Sequence, residues 1–97
     1  MLEKHIEGPV VRWARANGVV CLKLNLIGST GWPDRLFLAP GGRMCFIEFK
    51  RPGEALRRNQ PQRVELLHKL GFTVGVYDDV TKAIEFLGAT LLSKGSS

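Results

Sequence analysis

With 97 residues, 44% of them hydrophobic and 24% charged, the chain has the balance of one globular domain around one core, neither disordered nor fibrous. No apolar run approaches the roughly 20 residues that span a bilayer, and the opening MLEKHIEGP lacks the apolar centre of a signal peptide, so a cytoplasmic location is expected. The formal net charge of +5 favours a polyanionic partner such as nucleic acid.

Taken in chain order, PVVRWARAN (9–17) repeats Val10, Trp13 and Ala14 at helical spacing, with Pro9 suited to a first turn and Gly18 as the stop. VVCLKLNLI (19–27) is a strand by its β-branched and aliphatic density, followed by the loop GSTG (28–31). WPDRLFLA and RMCFIEFK read as two strands of a hairpin joined through Pro40, Gly41 and Gly42. The segment KRPGEALRR (50–58) is strongly basic, with Glu54 its only acid. A helix follows, with Asn59 and Gln62 at capping-box spacing, Pro61 in the first turn, an apolar stripe of Val64, Leu67 and Leu70, and Gly71 at the end. FTVGVYD (72–78) is a fourth strand, and Thr81 to Leu87 a short helix broken by Gly88. The expected order is α-β-β-β-α-β-α, a mixed sheet flanked by helices, with one domain over 1–92 and SKGSS (93–97) as a frayed tail. Cys21 and Cys45 lie in apolar runs as small core residues, which suits a reducing compartment.

Three charged residues need a reason to stand on these strands, because burying a charge without a partner costs several kcal/mol. Alternation puts Glu48 and Lys50 on one face, about 7 Å apart along the strand, with Ile47 and Phe49 on the other. An odd, three-residue connection pairs Ala39 with Arg43 and sets Asp34 opposite Glu48; a two-residue loop sends Asp34 to the reverse face. Facing carboxylates repel, and a divalent cation resolves the conflict. Magnesium takes one or two carboxylates with waters and substrate phosphate. Asp34 and Glu48 supply the carboxylates, the Phe49 backbone carbonyl is a third oxygen, and the Lys50 ammonium is placed to orient an attacking water and stabilise a phosphorane. Gln60 shares the core-facing stripe of its helix, where the site carboxylates or a phosphate would satisfy it; the alternative is a capping role.

Pro33-Asp34 followed by Glu48-Phe49-Lys50 resembles the PD-(D/E)xK nuclease signature. More narrowly GWPD, then IEFKRPG, then Gln60 ahead of a helix ending in LG, resembles the VRR-NUC family from about Glu3 to Tyr77. That resemblance implies a restriction-endonuclease-like core and Mg2+- or Mn2+-dependent phosphodiester hydrolysis leaving 5′-phosphate and 3′-hydroxyl ends. It also implies an acidic residue from the first helix, matched by Glu7, with Glu3 as the fallback since Gly8-Pro9 disturbs a helix already under way at Glu7.

The resulting expectation is a stand-alone endonuclease, phage- or bacterium-encoded, whose Arg51, Arg57 and Arg58 grip the DNA backbone. Lys23 is either a further phosphate contact or a solvated lysine, and Trp32 either stacks on a base or packs at a loop edge. A core this small reads shape rather than sequence, so a homodimer cutting a four-way junction is expected, with FLGATLL (86–92) as a candidate dimer surface. The rival readings are a non-catalytic nucleic-acid-binding module and a nuclease subunit active only when recruited by a replication or repair partner.

Overall fold

The computed structural model describes residues 2–92, so the expected tail at 93–97 lies outside the described residues. Seven regular elements form in the expected order: α1 (Lys4–Ala16), β1 (Val20–Lys23), β2 (Arg35–Ala39), β3 (Arg43–Phe49), α2 (Gln60–Lys69), β4 (Val74–Tyr77) and α3 (Val80–Leu87). The sheet runs β1-β2-β3-β4, antiparallel except for the parallel β3–β4 pair that α2 connects.

The hairpin takes the odd connection. Pro40–Gly42 form a single tight turn in which Gly41 (φ 83°) and Gly42 (φ 74°) occupy the left-handed region open to glycine. Ala39 pairs with Arg43 and the ladder runs back to Arg35 opposite Ile47. One further step of that register brings Asp34 opposite Glu48.

Alternation then divides the sheet. Cys21, Phe37, Cys45, Ile47 and Phe49 face α1 and α3 and join Ile6, Val10, Val11, Ala14, Ala83, Leu87 and Leu91 in the core. The opposite face carries Asp34, Glu48 and Lys50, with α2 across its β3–β4 side. Both cysteines are free and buried, and burial pushes the Cys45 thiol up to about 12, far from nucleophilic use.

Several boundaries differ from the sequence reading. Helix α1 begins at Lys4 and carries Pro9 in its interior without ending there. The missing Pro9 N–H forfeits a bond that would have gone to the His5 carbonyl, and burial of Ile6 and Val10 on either side offsets it. Strand β1 stops at Lys23 because its partner β2 starts at Arg35; Leu24 makes one more bond, N–H to the Asp34 carbonyl at 2.9 Å, and Leu26 and Ile27 are exposed. Asn59 makes no side-chain cap bond and Gln62 is exposed, so the capping box does not form. Leu67 is buried in the α2 stripe, but Leu70 is 63% exposed. Gly88 does not break the chain's helical course, which widens into a π turn over Gly88–Leu92. In FLGATLL, Leu87 and Leu91 are core residues and cannot serve as a free dimer surface.

Candidate active site

Glu48 and Lys50 are each 5% exposed, an unusual depth for two charged residues. The Glu48 carboxylate accepts from Gln60 Nε2 at Oε2 (2.6 Å), while its Oε1 is buried with no partner among the described residues. Asp34 Oδ2 accepts from the Phe49 N–H at 2.8 Å, fixing this side chain against the end of β3. The Asp34 and Glu48 carboxyl groups lie within hydrogen-bond reach of each other. Burial, reinforced by the Asp34 charge and opposed by Lys50, holds Glu48 up at about 7. Burial likewise raises Asp34, against the pull of the Phe49 N–H.

Gln60 is held at both ends: its Oε1 accepts from the Arg57 N–H at 2.8 Å as Nε2 donates to Glu48. Its carboxamide orientation is therefore dictated by its neighbours. The start of α2 is clamped to the loop before β2, because Asn59 Nδ2 and Arg63 Nε both donate to the Thr30 carbonyl, at 3.0 and 3.1 Å. Gly31 (φ 85°) lies so close that a Cβ there would sit 2.2 Å from Asn59 Oδ1. Trp32 packs: Arg63 lies over its ring at 4.5 Å and its Nε1 donates to Ser29 Oγ at 2.7 Å.

The acids of α1 behave differently from each other. Glu7 Oε2 accepts from Arg35 Nε at 2.5 Å and lies 3.9 Å from Lys23 Nζ. Those partners are on the core-side face of the sheet, yet the Glu7 charge still raises Asp34. Lys23 is thus engaged with Glu7 and does not share a face with Glu48 and Lys50. Glu3 pairs with Arg57 at 3.6 Å and is within hydrogen-bond reach of Glu54, with burial raising it first and Glu54 next. Glu54 in turn lies 3.9 Å from Lys50 Nζ and 3.5 Å from Arg51 Nε. Arg58 is exposed and adopts a positive φ of 51°.

The sequence reading missed the Arg35–Glu7 pair, the Asn59–Thr30 clamp and the Glu54–Lys50 contact. Only the last carried a signal, the i,i+4 spacing of Lys50 and Glu54.

Among the described residues no three or more His, Cys, Asp or Glu side chains form a ready metal cage. The donor set nevertheless fits a hard divalent cation that draws its other ligands from backbone, water and phosphate. Glu48 Oε1 is an orphaned buried acceptor, and a cation would offset both the burial and the Asp34 charge that raise Glu48. The Phe49 peptide edge faces the same place, since its N–H already meets Asp34 and the C=O of a strand residue points to the same neighbour.

No family model matches the chain. A phage protein, "Putative nuclease p44" of Acyrthosiphon pisum secondary endosymbiont phage 1, is 37% identical over 76 residues, covering 78% of this chain and 82% of that protein. A solved structure titled "VRR_NUC domain" superposes with a TM-score of 0.80 at 24% identity, over 88% of this chain and 92% of its own. A second, "VRR_NUC domain protein", gives 0.74 at 18% identity, over 93% and 88% respectively.

Proposed function

Given that this chain belongs to the VRR-NUC family of nucleases, we propose that it is a Mg2+- or Mn2+-dependent DNA endonuclease that acts as a homodimer on branched DNA. The observation that carries the reading is the buried Glu48 carboxylate, with one oxygen unpartnered, set against Asp34 and two residues from an equally buried Lys50.

Asp34, Glu48 and the Phe49 carbonyl would hold the cation, with Glu7 assisting through its field on Asp34. A cation held there would supply a water of lowered pKa and an offset to the charge on the phosphate. The chain's own residues do the rest. Gln60 fixes Glu48 in one rotamer and keeps Oε1 free to ligate. Lys50 is buried beside Glu48, where an ammonium acts strongly on a nearby phosphate and keeps a nucleophilic water in line. In the substrate-free protein that ammonium faces Glu54 at 3.9 Å, so an entering phosphate replaces one anion with another. Arg51, Arg57 and Arg58 hold the backbone on the solvent side and carry no base information.

Dimerisation would give two sites for the two strands of a junction. Edge strand β1 supports this, with Val20 54% and Leu22 44% exposed on its α2-side face.

The test is cleavage of a four-way junction, a flap and linear duplex, with and without Mg2+, by wild type and Lys50→Ala. Metal-dependent junction cutting that Lys50→Ala abolishes while binding survives is the expected result. Binding without nicking at any Mg2+ or Mn2+ concentration would make the chain a binding module.

A further inference from the structure

A second charged feature lies on the other side of the sheet edge from Glu48. A cleft of about 340 Å³ runs along α1 and β1, lined by Lys4, Glu7, Arg12, Arg15, Lys23 and Arg35 around a floor of Gly8 and Val11. Its single acid, Glu7, is taken by Arg35 and Lys23. Among the described residues no ion pair engages Lys4, Arg12 or Arg15, and all three are exposed. Arg12 and Arg15 stand three residues apart on one helix face, a like-charged pair that slightly disfavours the helix and that no acid offsets among the described residues. Gly8 weakens α1 relative to alanine by up to about 1 kcal/mol; here it lets the Arg12 guanidinium lie across the helix, with Nη1 3.3 Å from where a Cβ would stand.

We propose that this cleft seats the sugar-phosphate backbone of the DNA strand leading into the active site. The inference rests on the nuclease reading and adds a binding path made of Lys4, Arg12, Arg15 and Arg35. From Lys4 to Arg15 the helix rises about 16 Å, the axial length of four or five nucleotides of one strand. The cleft also ends beside the site, because Lys23 and Arg35, which line it, pair across β1 and β2, and the next residues out, Leu24 and Asp34, are joined N–H to carbonyl at 2.9 Å.

The test is fluorescence anisotropy of a labelled four-way junction in EDTA, titrated across a salt series. Arg12→Glu/Arg15→Glu should bind at least tenfold more weakly, and its log Kd against log salt slope should shrink by about two. Lys69→Glu/Lys82→Glu, which changes net charge equally on α2 and α3, should shift affinity only a few fold and leave the slope near wild type. Circular dichroism checks folding, and Arg12→Gln/Arg15→Gln, which should give a smaller loss in the same direction, serves if the charge reversal misfolds. Equal losses in the two glutamate doubles, or no loss at Arg12 and Arg15, would overturn the cleft while wild-type cutting keeps the nuclease reading. A wild type that neither binds nor cuts DNA would overturn both.

Discussion

Gln60 Nε2 and Glu48 Oε2 are joined across 2.6 Å, tying the first residue of α2 to the end of β3. The bond leaves Oε1 as the free oxygen and sets which way it points. Groups that orient a ligating side chain typically change metal affinity or activity 10- to 100-fold when removed. Gln60→Ala should therefore raise the Mg2+ concentration for half-maximal cleavage by about that factor, with a smaller loss at saturating metal. A magnesium titration of the cleavage rate reads it directly. An unchanged half-maximum would reduce Gln60 to a helix-start residue.

Glu48 also couples stability to pH. Burial and the Asp34 charge raise its folded pKa from 4.5 to about 7, against Lys50 and the Gln60 hydrogen bond, with Glu3 adding to the rise. The folded state then holds the proton more tightly than the unfolded state. Metal-free stability contributed by this group is complete below pH 4.5, falls as pH rises, and levels off above about 7. The loss is on the order of 2 kcal/mol after screening. Glu48→Gln keeps an acceptor for Gln60 and removes the buried charge, so it should melt higher than wild type at pH 8 without metal while cutting nothing. Melting curves at pH 5 and pH 8 decide it; a variant less stable than wild type at pH 8 would contradict the origin of the shift.

Helix α1 shows where the sequence runs out. Glu48 and Lys50 were legible on one face by strand alternation alone, whereas Asp34 joined them only under the odd one of two possible connections, which is the one the Pro-Gly-Gly turn adopts. Gln60 was legible by helical spacing. The length of α1 was not, because propensity places Pro9 at a helix start, whereas tertiary burial of Ile6 and Val10 holds a helix on both sides of it. That extra turn determines which way Glu3 and Glu7 point. Glu7's partner Arg35 is 28 residues away, a pairing that periodicity cannot see. The end of β1 was misread for a similar reason: a strand lasts only as long as its neighbour, and β2 starts at Arg35.

The Gly31 contact gives the clamp between α2 and the loop a direct test. Gly31 and Gly41 share a positive φ, 85° and 83°, but a Cβ at Gly31 would collide with Asn59 whereas one at Gly41 meets nothing within 4 Å. Gly41→Ala should cost about 1 kcal/mol of backbone strain. Gly31→Ala should cost roughly 3 kcal/mol and displace Asn59, whose neighbour Gln60 orients Glu48. For a chain this size that corresponds to a fall in Tm of about 12 to 24 °C, together with weakened cleavage. Similar melting temperatures for the two variants would mean that Asn59 gives way to the added Cβ at no cost, so that the close approach of Gly31 does not hold the clamp.

Leu22 and Leu91 separate the dimer surface from the core. Leu91 is 2% exposed and packs with Leu87 beneath the sheet, while Leu22 is 44% exposed on the edge strand. Leu91→Ala removes buried methyl groups and should destabilise by about 2 to 5 kcal/mol, lowering Tm at every protein concentration. Leu22→Lys buries nothing and removes nothing from the core, so its monomer should melt within a few degrees of wild type. If two copies meet across β1, the lysine sets like charges against each other at the two-fold and shifts the protein to monomer. Light scattering across a concentration series would show a wild-type dimer, a Leu22→Lys monomer and a Leu91→Ala protein that still dimerises while folded. A dimer lost in Leu91→Ala but kept in Leu22→Lys would move the interface back to the 86–92 segment.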